Sequence, residues 1–561
     1  MSRCFLAGVL RFRVVLFSPS SSLTSPPPPV QGQGAPRKHY YSTTTAAATT
    51  TAANMAAAAR TYDDALSRLP QLQSNAATIA LFADASAGIP GGAPSLNARA
   101  KPETLAWLAR AGYKPSDLSA AGLKCVHIAG TKGKGSVTAL VAGILSRYPS
   151  VAKPVGVYTS PHLVSVRERI VIDGEPISRE KFGRYFFELW DRFTEAARAA
   201  GDADPEGPNT KPFYFRFLTI LAVHVFLREG VRSAVVECGI GGEYDPTTFV
   251  LPDDDGASVT AAVVTQLGLD HVSMLGDTVE KIAWNKAGVF KKGVLGVTRR
   301  LEERPGVMGV LRDRAREKGC ELREVRDEDV EAWKGVDGAR LEGPFQRYNM
   351  ALAVVAARQH LMSLGVKFEG EFGRDGYSLD ATPEEFVVGL REASLRGRCE
   401  TFVNGKGVEW FADGAHTEDS LAGVGEWFAG KIKGDDNVVP VLVFNQQDRD
   451  PVVLLTALMA AAQNEVGGGK AVFKHAIFTR NEEKAVNEPD LVVQQKACET
   501  LRNLSPDTEA TIQTSVQPSV ELVRAIAQQA REDGKTCKVL VTGSFHLVGA
   551  ILKTVDDSVE Y

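Results

Sequence analysis

The chain has 561 residues, 44% hydrophobic and 24% charged, with a formal net charge of −4. That length gives room for two or three domains with sizeable cores, and the composition is that of a soluble globular protein. The near balance of charge excludes a global basic field for nucleic acid or an anionic membrane. Seven scattered cysteines without a CxxC pair indicate neither a zinc site nor a disulfide framework, so a reducing compartment fits.

The first sixty residues differ from the rest. No Asp or Glu precedes Asp63, while Arg3, Arg11, Arg13, Arg37, Lys38 and Arg60 punctuate a stretch filled with Ser, Thr, Ala and Pro. Residues 1–61 therefore read as a mitochondrial transit peptide, with a disordered tail carrying no address as the plain alternative. Arg11 and Arg13 interrupt the only apolar run, which argues against a secretory signal. Initiation at Met55, where the bias ends, would leave a cytosolic form. No later segment approaches the eighteen or so apolar residues of a membrane span. Membrane contact is thus expected to be at most peripheral, at the mitochondrial inner membrane. No long heptad or apolar stripe demands an oligomer, and a monomer is expected.

Folded sequence begins near Tyr62, with TYDDALSRLPQL as a first helix and a second helical stretch around Pro102 to Ala111. The apolar run Cys125 to Ala129 is a strand, followed by Gly130, Gly133 and Gly135 and then, after Ser136, an apolar periodicity of helical spacing. A strand, a glycine-rich turn and a helix N-terminus together make an anion cradle. Glycines let backbone N–H groups approach phosphate oxygens, Lys134 adds a point charge, and the Ser136 hydroxyl can ligate a nucleotide's metal. Gly135, standing between the lysine and the serine, departs from the standard Walker A spacing.

After the loop, VGVYTSPHLVSVRERIVIDGEPIS reads as strand, loop, strand and turn; residues 178–200 and 213–229 read as helices. SAVVEC (233–238) and TAAVVT (260–265) are short buried strands. This alternation predicts an α/β fold with a doubly wound, mainly parallel sheet. In such sheets chemistry gathers at the carboxyl ends of the strands, and Gly130, Ser160, Glu237 and His271 all fall just past predicted strand ends. A hydroxyl, a carboxylate and an imidazole beside a phosphate cradle suit magnesium. Each has a bland alternative: Glu237 as a salt-bridge partner, His271 as a satisfied surface or core group. Lys286, in IAWNKAG, reads by itself as a solvated helix lysine.

Beyond residue 396 the alternation resumes. GVEWFADGAH, VVPVLVFN, KHAIFT and TCKVLVTGS read as strands of a smaller, Rossmann-like α/β domain, with loops near Gly467 to Gly469 and over 481–490. Residues 199–211 and 252–258 read as surface insertions, and REVRDEDVE (323–331) as a solvated face.

Taken together, GTKGKGS, TSPHLVSVRERI, PFYFRFLT, VECGIGGEYD, LGLDH and IAWNKAG resemble the folylpolyglutamate synthases, of the Mur ligase superfamily, in order and spacing. FQRYNMALA, DGAHT, FNQQDRDP and VTGSFHLVGAIL continue the resemblance, which runs from about Tyr62 to the C-terminus. It implies a P-loop-containing, Mur-ligase-like ATPase domain over 62–396 that binds ATP and folate, and a glutamate-ligase domain over 397–561. The activity implied is ATP-dependent addition of L-glutamate to folylpolyglutamate through an acyl phosphate.

Carried over residue by residue, the resemblance gives Gly130, Thr131, Lys132, Gly133, Lys134, Gly135 and Ser136 to the ATP phosphates and, through Ser136, to a first magnesium. Ser160, Glu237 and His271 take a second magnesium, and a carbamylated Lys286 stands beside the metals. Gln346 and Asn349 face the adenine side, and Arg398 reaches the γ-phosphate from the hinge. Asp413 and His416 complete the site around the incoming glutamate, and room is left for a monovalent cation. Lys134, His271, Lys286, Asp413 and His416 form the catalytic set.

Three places depart from the pattern: Pro246, Thr247 and Thr248 after GGEYD, Leu395 and Arg396 before the hinge Gly-Arg, and Lys132 where many relatives carry Asn. Two further readings stand beside the first. One is a dihydrofolate synthase, acting on dihydropteroate; the other is a non-catalytic module that senses ATP.

Overall fold

In the computed structural model the described residues are 60–72, 96–253, 258–368, 378–404, 407–447, 449–467, 471–484 and 489–555. The leader read over residues 1–61, except Arg60 and Thr61, and the alternative start at Met55 lie outside them. So do parts of the loops read at 467–469 and 481–490 and of the insertion at 252–258.

Eight strands build the first sheet: β1 (Lys124–Ala129), β2 (Val155–Tyr158), β3 (Ile170–Ile172), β4 (Glu175–Pro176), β5 (Ser233–Glu237), β6 (Val259–Val264), β7 (Leu295–Arg299) and β8 (Glu321–Val325). Their order is β4-β3-β2-β5-β1-β6-β7-β8. Only the β2–β3 and β3–β4 pairings are antiparallel; the others are parallel. β1 and β5 alternate between two cores. Cys125, Ala129, Ala234 and Val236 enter one, packed on helices Arg179–Ala200 and Tyr214–Arg228. Val126, Ile128 and Val235 enter the other, under helices Lys134–Leu145 and Gln346–Ser363. Burial on both faces explains why these strands read as continuous apolar runs.

Six strands form the second sheet: β9 (Glu400–Val403), β10 (Val408–Ala412), β11 (Val438–Phe444), β12 (His475–Phe478), β13 (Glu509–Ile512) and β14 (Thr536–Thr542), ordered β13-β12-β11-β14-β10-β9. β9 is the one antiparallel member. This sheet too has a core on each face. The chain is therefore α/β with two mainly parallel sheets, as the alternation predicts.

Several details differ from expectation. The second helix starts earlier, at Leu96, with Pro102 inside it. REVRDEDVE is not simply a solvated face: it holds the end of edge strand β8 and most of the helix Asp327–Trp333, whose Val330 is fully buried. In the insertion 199–211, Lys211 is buried, with Nζ on the carbonyls of Pro205 and Gly207. No helix among the described residues is long and apolar enough to cross a membrane.

Candidate active site

The loop after β1 is built by close approach. A Cβ on Gly130 would lie 1.8 Å from Thr265 Oγ1, so only glycine lets the loop pass the end of β6. Thr265 Oγ1 donates to the Lys132 carbonyl at 2.6 Å, and the N–H groups of Thr131 and Lys132 donate to the Gln266 carbonyl at 2.9 and 3.2 Å. Gly133, at φ +85, caps helix Lys134–Leu145, and a Cβ there would meet Asn349 Oδ1 at 2.5 Å. The first-turn N–H groups of a twelve-residue helix thus open into a cradle for an anion. Ser136 is 5% exposed and receives the Gln346 amide at 3.4 Å; Gln346 Oε1 accepts from Asn349 Nδ2 at 2.9 Å. The helix carrying FQRYNMALA is tied to the loop by these contacts.

Glu237 ends β5 with its carboxylate buried. Burial pushes its pKa up, opposed by the Lys134 charge, the Ser160 N–H, Arg398 and Arg169. Ser160 N donates to Glu237 Oε2 at 3.3 Å, and that oxygen lies 3.7 Å from where a Cβ of Gly135 would stand. Ser160, Glu237 and the phosphate loop are therefore neighbours. His271 sits in left-handed backbone at φ +49, its N–H on Asp270 Oδ1 at 3.0 Å. Burial lowers its pKa, as do Lys134 and Lys286, against the pull of Asp270. Ser136, Ser160, Glu237 and His271 line the same cleft, and oxygen and imidazole donors of this kind suit a hard divalent cation.

Lys286 ends the helix Val279–Lys286, yet it is only 2% exposed, so the reading of a solvated lysine is overturned. Its Nζ donates to the Gly130 carbonyl at 2.8 Å, and Lys134 Nζ donates to the same oxygen at 3.1 Å. Burial first and Lys134 second lower the Lys286 pKa to about 7. A lysine so placed holds its proton far less tightly than an exposed one, and a large share of it is neutral amine near pH 7.

From the second sheet, Asp413 follows β10 and is 7% exposed; burial raises its pKa against Arg398 and two N–H donors. His416 Nδ1 lies 2.9 Å from the Gly414 carbonyl, so Nδ1 carries the proton and Nε2 is left bare. Arg398 packs over the Phe545 ring at 4.7 Å. Most of these groups line one cleft of about 830 Å³ between the two sheets' carboxyl ends. Of the candidate site residues carried over from the sequence, only Gly130 and Lys286 stand behind its wall.

Around the cleft, ion pairs and tight turns join residues to which the sequence reading gave no such partners. Asp270 pairs with Arg449 at 3.0 Å, and Lys132 with Asp419 at 3.0 Å, each bridging the two sheets' elements. Asp245 accepts from Gly239 N, Ile240 N, Thr247 N and Thr247 Oγ1 at 2.6–3.0 Å. The turn with the unusual Pro246 and Thr248 is thus fully bonded, Thr248 Oγ1 donating to the Gly242 carbonyl at 2.7 Å. Arg396 pairs with Glu400 at 2.7 Å. Lys132 directs its side chain to Asp419 in this structure, while its backbone N–H and carbonyl are bonded to Gln266 and Thr265.

No family model matches the chain. Folylpolyglutamate synthase of Saccharomyces cerevisiae strain FostersO is 35% identical over 507 residues, covering 89% of this chain and 87% of the yeast protein. Among solved structures, Mycobacterium tuberculosis folylpolyglutamate synthase complexed with ADP has a TM-score of 0.59 at 22% identity, covering 81% of this chain and 95% of that one. E. coli FolC in complex with DHPP and ADP has a TM-score of 0.56 at 23% identity, covering 89% and 98%. The structural likeness establishes the Mur-ligase fold. Identity of 35% along nearly nine-tenths of both chains establishes more: the chain belongs to the folylpolyglutamate synthase family of ATP-dependent ligases.

Proposed function

We propose that this cleft performs the family's ligation with the following division of labour. The loop 130–136 and Lys134 hold the ATP phosphates, Gln346 and Asn349 face the adenine side, and Arg398 approaches the γ-phosphate from the second sheet. Ser136 holds one magnesium, and Ser160, Glu237 and His271 hold a second. Magnesium, when bound, supplies charge neutralisation at the phosphates. The substrate's γ-carboxylate attacks the γ-phosphorus, ADP leaves, and the acyl phosphate is taken by the amino group of L-glutamate, releasing phosphate. Asp413 sits where it can meet the glutamate ammonium, and the bare Nε2 of His416 where it can accept a proton from the attacking amine. Enclosure between two sheets excludes water from the acyl phosphate and orders the reactants.

The observation that carries this reading is the convergence of the phosphate loop, Ser160, Glu237, Asp413 and His416 on one cleft. Lys286, whose proton is loosened by burial and by Lys134, is suited to react as its neutral amine with CO₂ to a carbamate, and a monovalent cation beside that charge completes the proposed site. We place residues 62–396 as the ATP- and folate-binding domain and 397–561 as the glutamate-ligase domain of a monomer. The acid-free leader directs the chain to mitochondria, with peripheral contact at the inner membrane. Initiation at Met55 supplies a cytosolic form; a single matrix-only band in fractionated cells would sink that part.

The test is ADP release with tetrahydrofolate and with dihydropteroate as acceptors. Glutamate-dependent release with tetrahydrofolate is expected. Activity confined to dihydropteroate, or ADP release indifferent to glutamate, overturns the reading.

A further inference from the structure

The segment TSPHLVSVRERI contributes a buried cation to which the ligation described above gives no task. The lysines and arginines that line the cleft are Lys132, Lys134, Arg169, Arg216, Arg398 and Arg449. Lys132, Arg216 and Arg449 are paired with Asp419, Glu103 and Asp270, at 3.0, 3.6 and 3.0 Å. Lys134 and Arg398 serve the phosphates. Arg169 is 7% exposed and forms no ion pair with any carboxylate among the described residues. Its Nε donates to His162 Nδ1 at 2.9 Å, and its guanidinium packs over the Tyr214 ring at 5.6 Å. A buried guanidinium without a counter-charge is costly. Here the two contacts fix its plane and leave the terminal Nη groups to a partner that the chain does not supply.

The sheet sets where that partner lies. Along its carboxyl edge the order β1, β5, β2, β3 brings in turn the phosphate loop, Glu237, Ser160 and Arg169. β3 runs antiparallel to β2 with Ile170 opposite Tyr158, so Arg169 stands at the same edge as Ser160, its carbonyl accepting from the Thr159 N–H at 3.1 Å. Neighbouring strands are about 4.8 Å apart. An acceptor whose reacting γ-carboxylate lies at the loop and Glu237 therefore extends other groups over β2 and β3. Its terminal glutamyl residue carries a second carboxylate, the α, separated from the first only by Cα and two methylenes. We propose that Arg169 binds this α-carboxylate and is a specificity-determining residue, its planar fork matching the two oxygens and its orientation fixed by His162 and Tyr214. This rests on the reading that a folyl γ-carboxylate attacks at the phosphate loop. Dihydropteroate has only the carboxylate that reacts, so such a site favours acceptors that already bear glutamate.

The experiment measures kcat/KM of the full chain for wild type, Arg169→Met and Arg169→Lys with two acceptors, melting temperatures alongside. One acceptor is tetrahydrofolate; the other is tetrahydropteroyl-γ-aminobutyrate, which keeps the reacting carboxylate and lacks the α-carboxylate. In Arg169→Met, kcat/KM for tetrahydrofolate is expected to fall about 30-fold, the worth of a charge-assisted contact, with the KM for ATP within about twofold. With the γ-aminobutyrate acceptor, wild type and variant are expected to agree within about twofold. Arg169→Lys keeps a charge but not the fork, and its loss is expected to be at least about fivefold and again confined to tetrahydrofolate. If the Met variant fails to fold, Lys carries the same comparison.

An equal loss with both acceptors overturns the inference, since Arg169 then acts on the reacting carboxylate or on the fold. Wild-type kinetics in the variants overturn it too. Either result, with wild type releasing ADP in a glutamate-dependent way, leaves the reading of the site standing. If wild type shows no glutamate-dependent release with either acceptor, that reading fails and the inference with it.

Discussion

Replacing Lys286 with Met removes a titratable group from behind the phosphate loop and should change how stability depends on pH. In the folded chain Lys286 is 2% exposed, shares the Gly130 carbonyl with Lys134, and has its pKa lowered from 10.5 to about 7. In the unfolded chain an unperturbed lysine holds its proton until about 10.4. Between those values the unfolded state binds more protons, so this group makes stability rise with pH. Below about pH 7 both states are protonated and the cost of burying the charge is felt in full; above 10.5 it is gone. The separation of about 3.5 in pKa corresponds to about 5 kcal/mol at about 1.4 kcal/mol for each tenfold.

Urea unfolding of wild type and Lys286→Met in CO₂-free buffer, at about pH 6 and about pH 9, samples roughly half of that range. The Met chain's stability relative to wild type should fall by about 2.5 kcal/mol across it. A relative stability that is flat in pH, or that moves the other way, would refute the argument that burial neutralises this amine. With labelled bicarbonate the same free amine should form a carbamate: an Nζ–C bond forms to CO₂ and one proton leaves. Label absent from wild type after such treatment would remove the proposed modification while leaving the titration argument standing.

Gly130→Ala forces a Cβ to within 1.8 Å of Thr265 Oγ1, so the loop must move and turnover should fall at least ~100-fold in an ADP-release assay. Near-normal turnover would mean that the loop geometry is not required. Glu237→Gln keeps the shape of a buried side chain but removes the charge facing the loop. Turnover should drop on the order of 10²-fold and the magnesium concentration for half-activity should rise; an unchanged magnesium titration would take Glu237 out of the metal site. Lys132→Asn breaks the pair with Asp419, whose side chain is 84% exposed. Exposed pairs contribute at most about 1 kcal/mol, so stability and the KM for ATP should barely move. A large loss in either would show that Lys132 does more than join the two sheets' elements.

What could be read from residues alone was whatever is local along the chain. The strands β1, β5 and β6 are buried on both faces, so the linear signal was a continuous apolar run. The GTKGKGS turn declares its glycines, lysine and serine in seven consecutive positions. Edge strands β9 and β13 alternate half-buried and exposed residues over only four positions each, too short a pattern to separate from a loop. The family resemblance supplied roles that no local pattern holds.

Tertiary structure decided the environment of each group. Lys286 sits at a helix end like many solvated lysines; only the packing of that helix against the β1 loop buries it and sets it beside Lys134 on the Gly130 carbonyl. The ion pairs Asp270–Arg449 and Lys132–Asp419 join residues 179 and 287 positions apart, and the hydrogen bond from the Cys399 N–H to Asp413 joins residues 14 positions apart across the β9–β10 hairpin. Burial and electrostatic coupling depend on distance in space, which a linear sequence expresses only where neighbours in space are also neighbours along the chain.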